Sequence, residues 1–297
     1  MKYIITGSLG NISLPVTRNL VAAGHQLTVI SSNGSKKPYI EKLGAKAAIG
    51  SAMDRAFIAS VFKDADVAYL MVPNDYAATD YPKMQRDIAD SYAEAIAESS
   101  IKYVVLLSSV GADLRKGAGP IDGLGYLEDK LLELKNVHTK FLRPSYFFAN
   151  LYSLVDMIKH AGIAGNNFGD TDEKMVLVDT SDIAVEATKH LLDLDFTGNS
   201  VIYISGDEVH PKELAKVLGE AVGKENLPWI TFTDEQSRQG MLDAGLSPGF
   251  AELYIQMGQK IKSGELLKDY WKHRPETLGK YKLEDFAKSF AVAYQAG

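Results

Sequence analysis

A tyrosine and a lysine stand four residues apart in a segment with helical spacing, Tyr126 and Lys130. Residues four apart lie on one face of a helix, so the ammonium group of Lys130 can stabilise a phenolate at Tyr126. A phenol with a depressed pKa can protonate a carbonyl oxygen as a hydride arrives. The spacing therefore favours Tyr126 as a proton donor, and the alternative interpretation is a surface helix with an ordinary Tyr–Lys contact.

Two serines follow the apolar run Tyr103 to Leu107, which is typical of a buried strand. Ser108 and Ser109 point to opposite faces of an extended chain, so only one of them can hold a substrate oxygen beside Tyr126. We expect that residue to be Ser109. The candidate catalytic set is therefore Ser109, Tyr126 and Lys130.

A glycine-containing turn runs from Thr6 to Ser13, directly after the first apolar run and at the start of a helical pattern. Gly7 permits a tight turn from strand to helix, and Gly10 lets a pyrophosphate approach the backbone at the helix N-terminus. Ser13 stands where a third glycine is usual and is a mild departure, because serine is small. The context predicts a dinucleotide-binding loop, and the alternative is a glycine turn that binds nothing.

The residues after the second strand distinguish the two nicotinamide dinucleotides. An acidic residue there would bind the ribose hydroxyls of NAD and repel a 2′-phosphate. The sequence instead has serines at Ser31 and Ser32 and a cation at Lys36. These residues favour NADP(H) over NAD(H), and the alternative interpretation is a solvated polar loop.

Short apolar runs alternate with helical patterns through the first half of the chain, which predicts a doubly wound α/β fold with a parallel sheet. We expect a Rossmann-type dinucleotide-binding domain over residues 1–150 and a smaller, interleaved α/β substrate subdomain over residues 151–297. A strand and helix around residues 175–195 are expected to return to the first domain. The strands of the first half are predicted at Tyr3 to Thr6, Leu27 to Ile30, Ala47 to Ile49, Val67 to Val72, Tyr103 to Leu107 and Lys140 to Leu142.

The composition restricts the class of protein. The chain has 297 residues, 46% hydrophobic and 24% charged, with a net charge of −6, so no general attraction to nucleic acid or anionic membranes is expected. It contains no cysteine and no histidine pair with metal-ligand spacing, so we predict no metal site. Without a signal-like segment, we expect a cytoplasmic protein with a small-molecule substrate. Monomer and homodimer stay open.

The chain resembles the atypical, NmrA-like branch of the short-chain dehydrogenase/reductase superfamily, which includes quinone-reductase-like members. The resemblance rests on six anchors. They are the loop at Thr6 to Ser13, the strand Asp66 to Pro73, the segment Ser108 to Ala112, Lys130 with Glu133, and the segments Leu142 to Asn150 and Val178 to Ala184. It implies that the loop binds the pyrophosphate and that the Arg-Pro segment borders the nicotinamide. The cofactor-binding residues expected from the motifs and the resemblance together are Thr6, Gly7, Leu9, Gly10, Asn11, Ile12, Ser31, Ser32, Lys36, Val72, Pro73, Lys130, Pro144 and Tyr146.

These observations predict an NADPH-dependent reductase that transfers hydride to a small apolar carbonyl or quinone. One alternative is a redox sensor that binds NADP(H) and a partner protein without turnover, as the resemblance to NmrA-type regulators implies. Another is an epimerase or dehydratase of the same superfamily. Tyr126 and Lys130 favour the enzyme over the sensor.

Overall fold

A computed structural model describes residues 1–169 and 174–296 of the chain. Within these residues, seven parallel strands form one sheet in the order β10-β6-β5-β4-β1-β2-β3. This is a doubly wound arrangement, because the chain adds strands first on one side of β1 and then on the other. The strands of this sheet are β1 (Lys2–Ile5), β2 (Gln26–Ser31), β3 (Lys46–Ile49), β4 (Val67–Leu70), β5 (Tyr103–Leu107), β6 (His138–Pro144) and β10 (Asn199–Ile204).

Helices cover both faces of the sheet. On one face α3, α4 and α5 share a hydrophobic core with the strands, and on the other face α1, α2 and α7 do so. These helices are α1 (Ser13–Ala22), α2 (Lys37–Lys42), α3 (Arg55–Phe62), α4 (Tyr81–Ala97), α5 (Asp122–Leu132) and α7 (Thr180–Asp193).

Local sequence explains where these elements lie. All four residues of β4 are buried, as expected of a central strand covered on both faces. Asp54 and Asp80 cap α3 and α4, since their carboxylates accept hydrogen bonds from the backbone N–H groups of Phe57 and Lys83 at 3.0 and 2.9 Å. Burial therefore accounts for the apolar sequence of β4, and capping accounts for where α3 and α4 begin.

The C-terminal half adds two small sheets and further helices around a separate hydrophobic core. The small sheets pair in the orders β11-β9-β7 and β12-β8. Their strands are β7 (Tyr146–Phe147), β8 (Ala164–Asn166), β9 (Met175–Val178), β11 (Asp207–Val209) and β12 (Trp229–Thr231). The helices here are α6 (Leu154–Ala161), α8 (Pro211–Ala221), α9 (Asp234–Asp243), α10 (Pro248–Lys262), α11 (Lys268–Lys272) and α12 (Leu283–Ala296).

One expectation about the interleaving needs correction. Helix α7 does return to the main sheet's face, where the hydroxyl of Tyr3 donates a 2.8 Å hydrogen bond to the carbonyl of Leu191. The strand before it, β9, instead pairs with β7 and β11. The strand that joins the main sheet is β10, parallel to β6, because a crossover helix delivers the strand that follows it.

No helix among the described residues is long and apolar enough to cross a membrane.

Candidate functional site

The glycine loop lies between the end of β1 and the start of α1. Gly7 has φ +85°, and a Cβ built there would stand 2.7 Å from Ser13 Oγ and 2.8 Å from Met71 Cγ, so only glycine fits. Gly10 is exposed, so its backbone is open to a ligand. No side chain caps the N-terminus of α1. The Leu14 N–H is bonded to the Gly10 carbonyl at 2.9 Å, and the next residue is a proline without an N–H. The N–H groups of Ile12 and Ser13 have no partner among the described residues, so these two are available for an anion such as a dinucleotide pyrophosphate.

Two hydroxyls fix the loop from within. The Ser13 hydroxyl donates a 3.0 Å hydrogen bond to the Thr6 carbonyl, which explains why serine serves at the third glycine position. The Thr6 hydroxyl accepts a 2.7 Å bond from the backbone N–H of Met71. Thr6 is only 1% exposed. The expected cofactor contact at Thr6 is therefore not available, because its side chain joins β1 to the end of β4 instead.

The loop after β2 also contains one buried residue that supports the loop and two exposed residues that can meet a ligand. The Ser8 and Ser31 hydroxyls are hydrogen bonded at 2.9 Å, and Ser31 is buried. Ser31 therefore positions the loop rather than meeting a ligand directly, contrary to our expectation. Ser32 and Lys36 are exposed, and together they offer a hydroxyl and a cation to a phosphate.

A cavity of about 970 Å³ opens beyond the carboxyl ends of β4, β5 and β6. That is the place where open α/β sheets bind their ligands. It begins next to the glycine loop, since Met71 lines it and also contacts the Gly7 position. The expected cofactor residues Val72, Pro144 and Tyr146 line it as well.

The cavity wall is largely apolar, partly aromatic and uncharged. Among the described residues that line it there is no Asp, Glu, Lys, Arg or His side chain. Its polar groups are hydroxyls and amides, such as those of Gln85 and Asn150. A run of neighbouring aromatic rings forms part of the wall, with centroids 4.8 to 6.4 Å apart, made of Tyr76, Tyr81, Phe250, Tyr254, Phe168 and Tyr146.

Ser108 and Ser109 both line the cavity, but their hydroxyls have different surroundings. Ser108 donates a 2.7 Å hydrogen bond to Glu128, a residue only 1% exposed. The Ser109 hydroxyl has no hydrogen-bond partner among the described residues. Ser109 is therefore the serine whose hydroxyl is available to a ligand.

A buried ion pair supports the floor of the cavity. Arg143 donates to both carboxylate oxygens of Glu128, at 3.0 Å through Nε and 2.7 Å through Nη2. Arg115 adds a third charged bond to Glu128 at 2.6 Å. Burial alone would raise the pKa of Glu128, but the bonds and charge of Arg143 outweigh it and lower that pKa below its usual value. Glu128 is thus a fixed anion rather than an acid.

The Tyr126 and Lys130 pair does not lie at the cavity. The Tyr126 hydroxyl donates a 2.8 Å bond to Asp90 on α4, and the Lys130 ammonium lies 3.9 Å from the same carboxylate. Neither residue is among those lining the cavity. Burial and the bond to Asp90 raise the pKa of Tyr126, the opposite of the depression that the sequence hypothesis required. The proposed catalytic role of the pair, and the expected cofactor contact of Lys130, are therefore not supported by their position.

Helix geometry explains this error. Each helical residue turns the chain by about 100°, so positions two apart face nearly opposite directions. Leu124 lines the cavity and Glu128 is bonded to Ser108 beside it, which turns Tyr126 and Lys130 toward α4. The four-residue spacing correctly places the pair on one face but does not say which face is inward.

Sequence reasoning also missed residues that the structure brings to the site. Arg143 carried a signal, because it is a charged residue in a strand otherwise expected to be buried. Tyr254 carried none beyond helical spacing, since it reaches the cavity from α10, more than a hundred residues after Tyr146. Tyr254 is recognised only from the packing of α10 against the cavity.

Residues 2–228 match the model of the NmrA-like family. No curated protein matches.

Several solved structures share the fold. A nucleoside-diphosphate-sugar epimerase from Staphylococcus aureus has a TM-score of 0.80 and 17% identity, covering 97% of this chain and 100% of its own. An NADPH-dependent quinone oxidoreductase from Escherichia coli, complexed with NADPH, has a TM-score of 0.77 and 17% identity over 99% of each chain. A triphenylmethane reductase from Citrobacter, complexed with NADP(H), has 0.77 and 18% over 97% of this chain and 99% of that one.

At these identities the structural likeness establishes only the fold. The neighbours are named for different activities, so no activity of this chain follows from the likeness. The family match covers most of the chain and includes the glycine loop and the strands that border the cavity. This chain therefore belongs to the NmrA-like family.

Proposed function

We propose that the protein is an NADPH-dependent reductase of uncharged quinone or carbonyl compounds. The cavity is the observation that supports this most, because it adjoins the glycine loop and its described lining carries no charge. An uncharged aromatic wall favours a flat apolar acceptor and desolvates it. The quinone oxidoreductase and the triphenylmethane reductase share this fold, and their structures contain NADPH or NADP(H). Both are named as redox enzymes, which supports the proposal.

The residues of the loop fit NADP(H). The exposed Gly10 backbone and the N–H groups of Ile12 and Ser13 would hold the pyrophosphate. Ser32 with Lys36 would hold the 2′-phosphate. Val72 and Pro144 would border the nicotinamide end, where the cavity begins. When bound, the reduced cofactor supplies a hydride.

The protein's own contribution is to orient the acceptor and exclude water. Phe250 and Tyr76 lie 4.8 Å apart, centroid to centroid, in an edge contact at the cavity wall. Such aromatic surfaces hold a planar acceptor in one orientation, which raises the effective concentration of the reacting atoms. The free hydroxyl of Ser109 adds a donor for an acceptor oxygen.

A redox sensor is the second candidate, and one observation favours it. The pair that argued for turnover, Tyr126 and Lys130, faces Asp90 rather than the cavity. A sensor needs only the loop, whose geometry is independent of that pair. The size of the cavity and its apolar wall favour the reductase over the sensor.

An epimerase acting on sugar nucleotides fits less well. Such a substrate carries a diphosphate, which proteins bind with cations or helix N-termini. The described lining of the cavity supplies no cation.

The test is an assay of NADPH oxidation with neutral quinones, aldehydes and a sugar nucleotide. We expect turnover with quinones or apolar aldehydes. Gly240 borders the cavity and has open space at its Cβ position, so Gly240→Leu should raise KM for the acceptor. Gly249→Leu, also in open space but outside the cavity lining, is the matched control. Tight NADPH binding with no consumption across the panel would favour the sensor.

A further inference from the structure

Two tyrosine hydroxyls meet inside the cavity. Tyr146 comes from β7 and Tyr254 from α10, both line the cavity, and their hydroxyl oxygens lie 2.7 Å apart. Neither hydroxyl has another hydrogen-bond partner among the described residues. The pair therefore joins the sheet side of the cavity to its helical side at one point.

The surrounding rings hold both phenols in place. Phe168 packs against Tyr146 at a centroid distance of 5.6 Å and against Tyr254 at 5.9 Å. The Phe250 ring also neighbours Tyr254, at a centroid distance of 6.4 Å. Groups fixed in this way need little reorganisation when a ligand binds, which is the condition for strong electrostatic stabilisation.

Counting protons shows what the pair can offer. Two hydroxyls carry two protons, and the bond between them uses one, so one O–H remains for a third oxygen. Burial raises the pKa of both phenols, so both stay protonated at neutral pH. At Tyr254 the hydrogen bond from Tyr146 offsets part of that rise. Either hydroxyl can be the donor in the bond between them; we take Tyr146 as that donor, which leaves the Tyr254 O–H for a ligand.

We propose that Tyr254 is the catalytic residue that hydrogen bonds to the acceptor's carbonyl oxygen, and that Tyr146 is the positioning residue that donates to Tyr254. The proposal rests on the proposed reductase function. As the acceptor gains a hydride from NADPH, its carbonyl oxygen becomes negative. The Tyr254 O–H bond then breaks and an O–H bond forms on the acceptor. The Tyr146 proton passes to Tyr254, and water returns one to Tyr146, so the net uptake is one proton.

A binding measurement without cofactor tests the hydrogen bond directly. Equilibrium dialysis would compare 1,4-naphthoquinone with naphthalene, which has the same ring size but no carbonyl oxygen. We expect wild type to prefer the quinone by about tenfold, the value of one good hydrogen bond. Tyr254→Phe should lose most of that preference and bind naphthalene as before.

The control variant is Tyr3→Phe, which removes a comparable 2.8 Å hydroxyl bond far from the cavity lining. It should keep the preference for the quinone. Tyr146→Phe should reduce the preference only partly, and it serves as the second variant if Tyr254→Phe does not fold. An unchanged preference in both tyrosine variants of the cavity would overturn the proposal.

Turnover provides the second readout. Because the bond to the oxygen strengthens as charge develops, Tyr254→Phe should lower kcat by about 100-fold while KM changes far less. A rise in KM with unchanged kcat would contradict the proposal. If wild type oxidises no NADPH with any acceptor, the reductase function falls, and the dialysis result still decides whether Tyr254 recognises a carbonyl oxygen.

Discussion

At the scale of single residues, the sequence identified the positions that backbone geometry constrains and failed where packing decides. Gly7 was predictable, because only glycine tolerates its positive φ and the approach of Ser13 and Met71. The inward residues of α5 were not, because a Tyr–Lys spacing carries no information about which face meets the sheet. Glu128 became recognisable only once its side chain was seen to pair with Arg143.

The position of Tyr126 gives a prediction about activity. Its hydroxyl is bonded to Asp90 between α4 and α5, away from the cavity. We expect Tyr126→Phe to keep kcat and KM within about twofold of wild type and to lose roughly 1 kcal/mol of stability from one hydrogen bond. Steady-state kinetics with a quinone would check this, and a large loss of kcat would restore Tyr126 as a proton donor.

The Glu128–Arg143 pair gives a prediction about stability. Removing one member of a buried ion pair leaves the other without compensation, so Glu128→Gln should cost about 3–5 kcal/mol in the free energy of unfolding. The matched control is Asp129→Asn, an exposed neighbour whose carboxylate lies 2.8 Å from Arg115. Denaturant titration should give a loss below about 1 kcal/mol for this control. Equal losses in the two variants would contradict the account.

The same pair predicts a dependence on pH. The pKa of Glu128 is lower in the folded protein than in the unfolded chain. Its contribution is therefore fully present above the unfolded pKa, about 4.3, and is lost as the pH falls through the folded pKa. The difference in unfolding free energy between wild type and Glu128→Gln should be constant above about pH 5 and shrink in more acid solution. Urea titrations at several pH values would measure it, and a constant difference at all pH values would argue against a lowered pKa.

At the scale of secondary structure, alternating apolar runs predicted the strands of the first half because buried parallel strands are apolar on both faces. The start of α7 follows a local rule as well, since the Asp179 carboxylate accepts the 2.8 Å bond from the Ser181 N–H that is typical of an N-cap. The pairing of β9 was not readable, because a short apolar strand fits either sheet and its partners lie far away in sequence.

Helix α9 leads to a prediction about dynamics. None of its residues is buried, it packs mainly on α10, and Gln236 and Met241 on it line the cavity. An element with so little buried surface opens at a low free-energy cost. We expect backbone amides of α9 to exchange hydrogen faster than those of α10, and to be slowed when 1,4-naphthoquinone binds. Mass spectrometry of exchanged peptides would check this, and equal protection in the two helices would show that α9 is not a mobile wall.

At the scale of the whole molecule, the site is assembled from segments that sequence spacing cannot bring together. The glycine loop and the ends of β4, β5 and β6 come from the first half of the chain, whereas α9 and α10 supply the opposite wall of the cavity. The fold class and the position of the glycine loop were therefore predictable from local patterns. The shape and neutrality of the cavity were not, because they depend on contacts between the two halves.

The most direct test of the account is a calorimetric titration of the protein with NADPH and with NADH. If the loop at Gly7 and Gly10 holds a dinucleotide and Lys36 meets its 2′-phosphate, NADPH will give saturable heat and bind about tenfold more tightly than NADH. The Lys36→Ala variant will lose most of that difference. No heat beyond dilution with either dinucleotide would contradict the account.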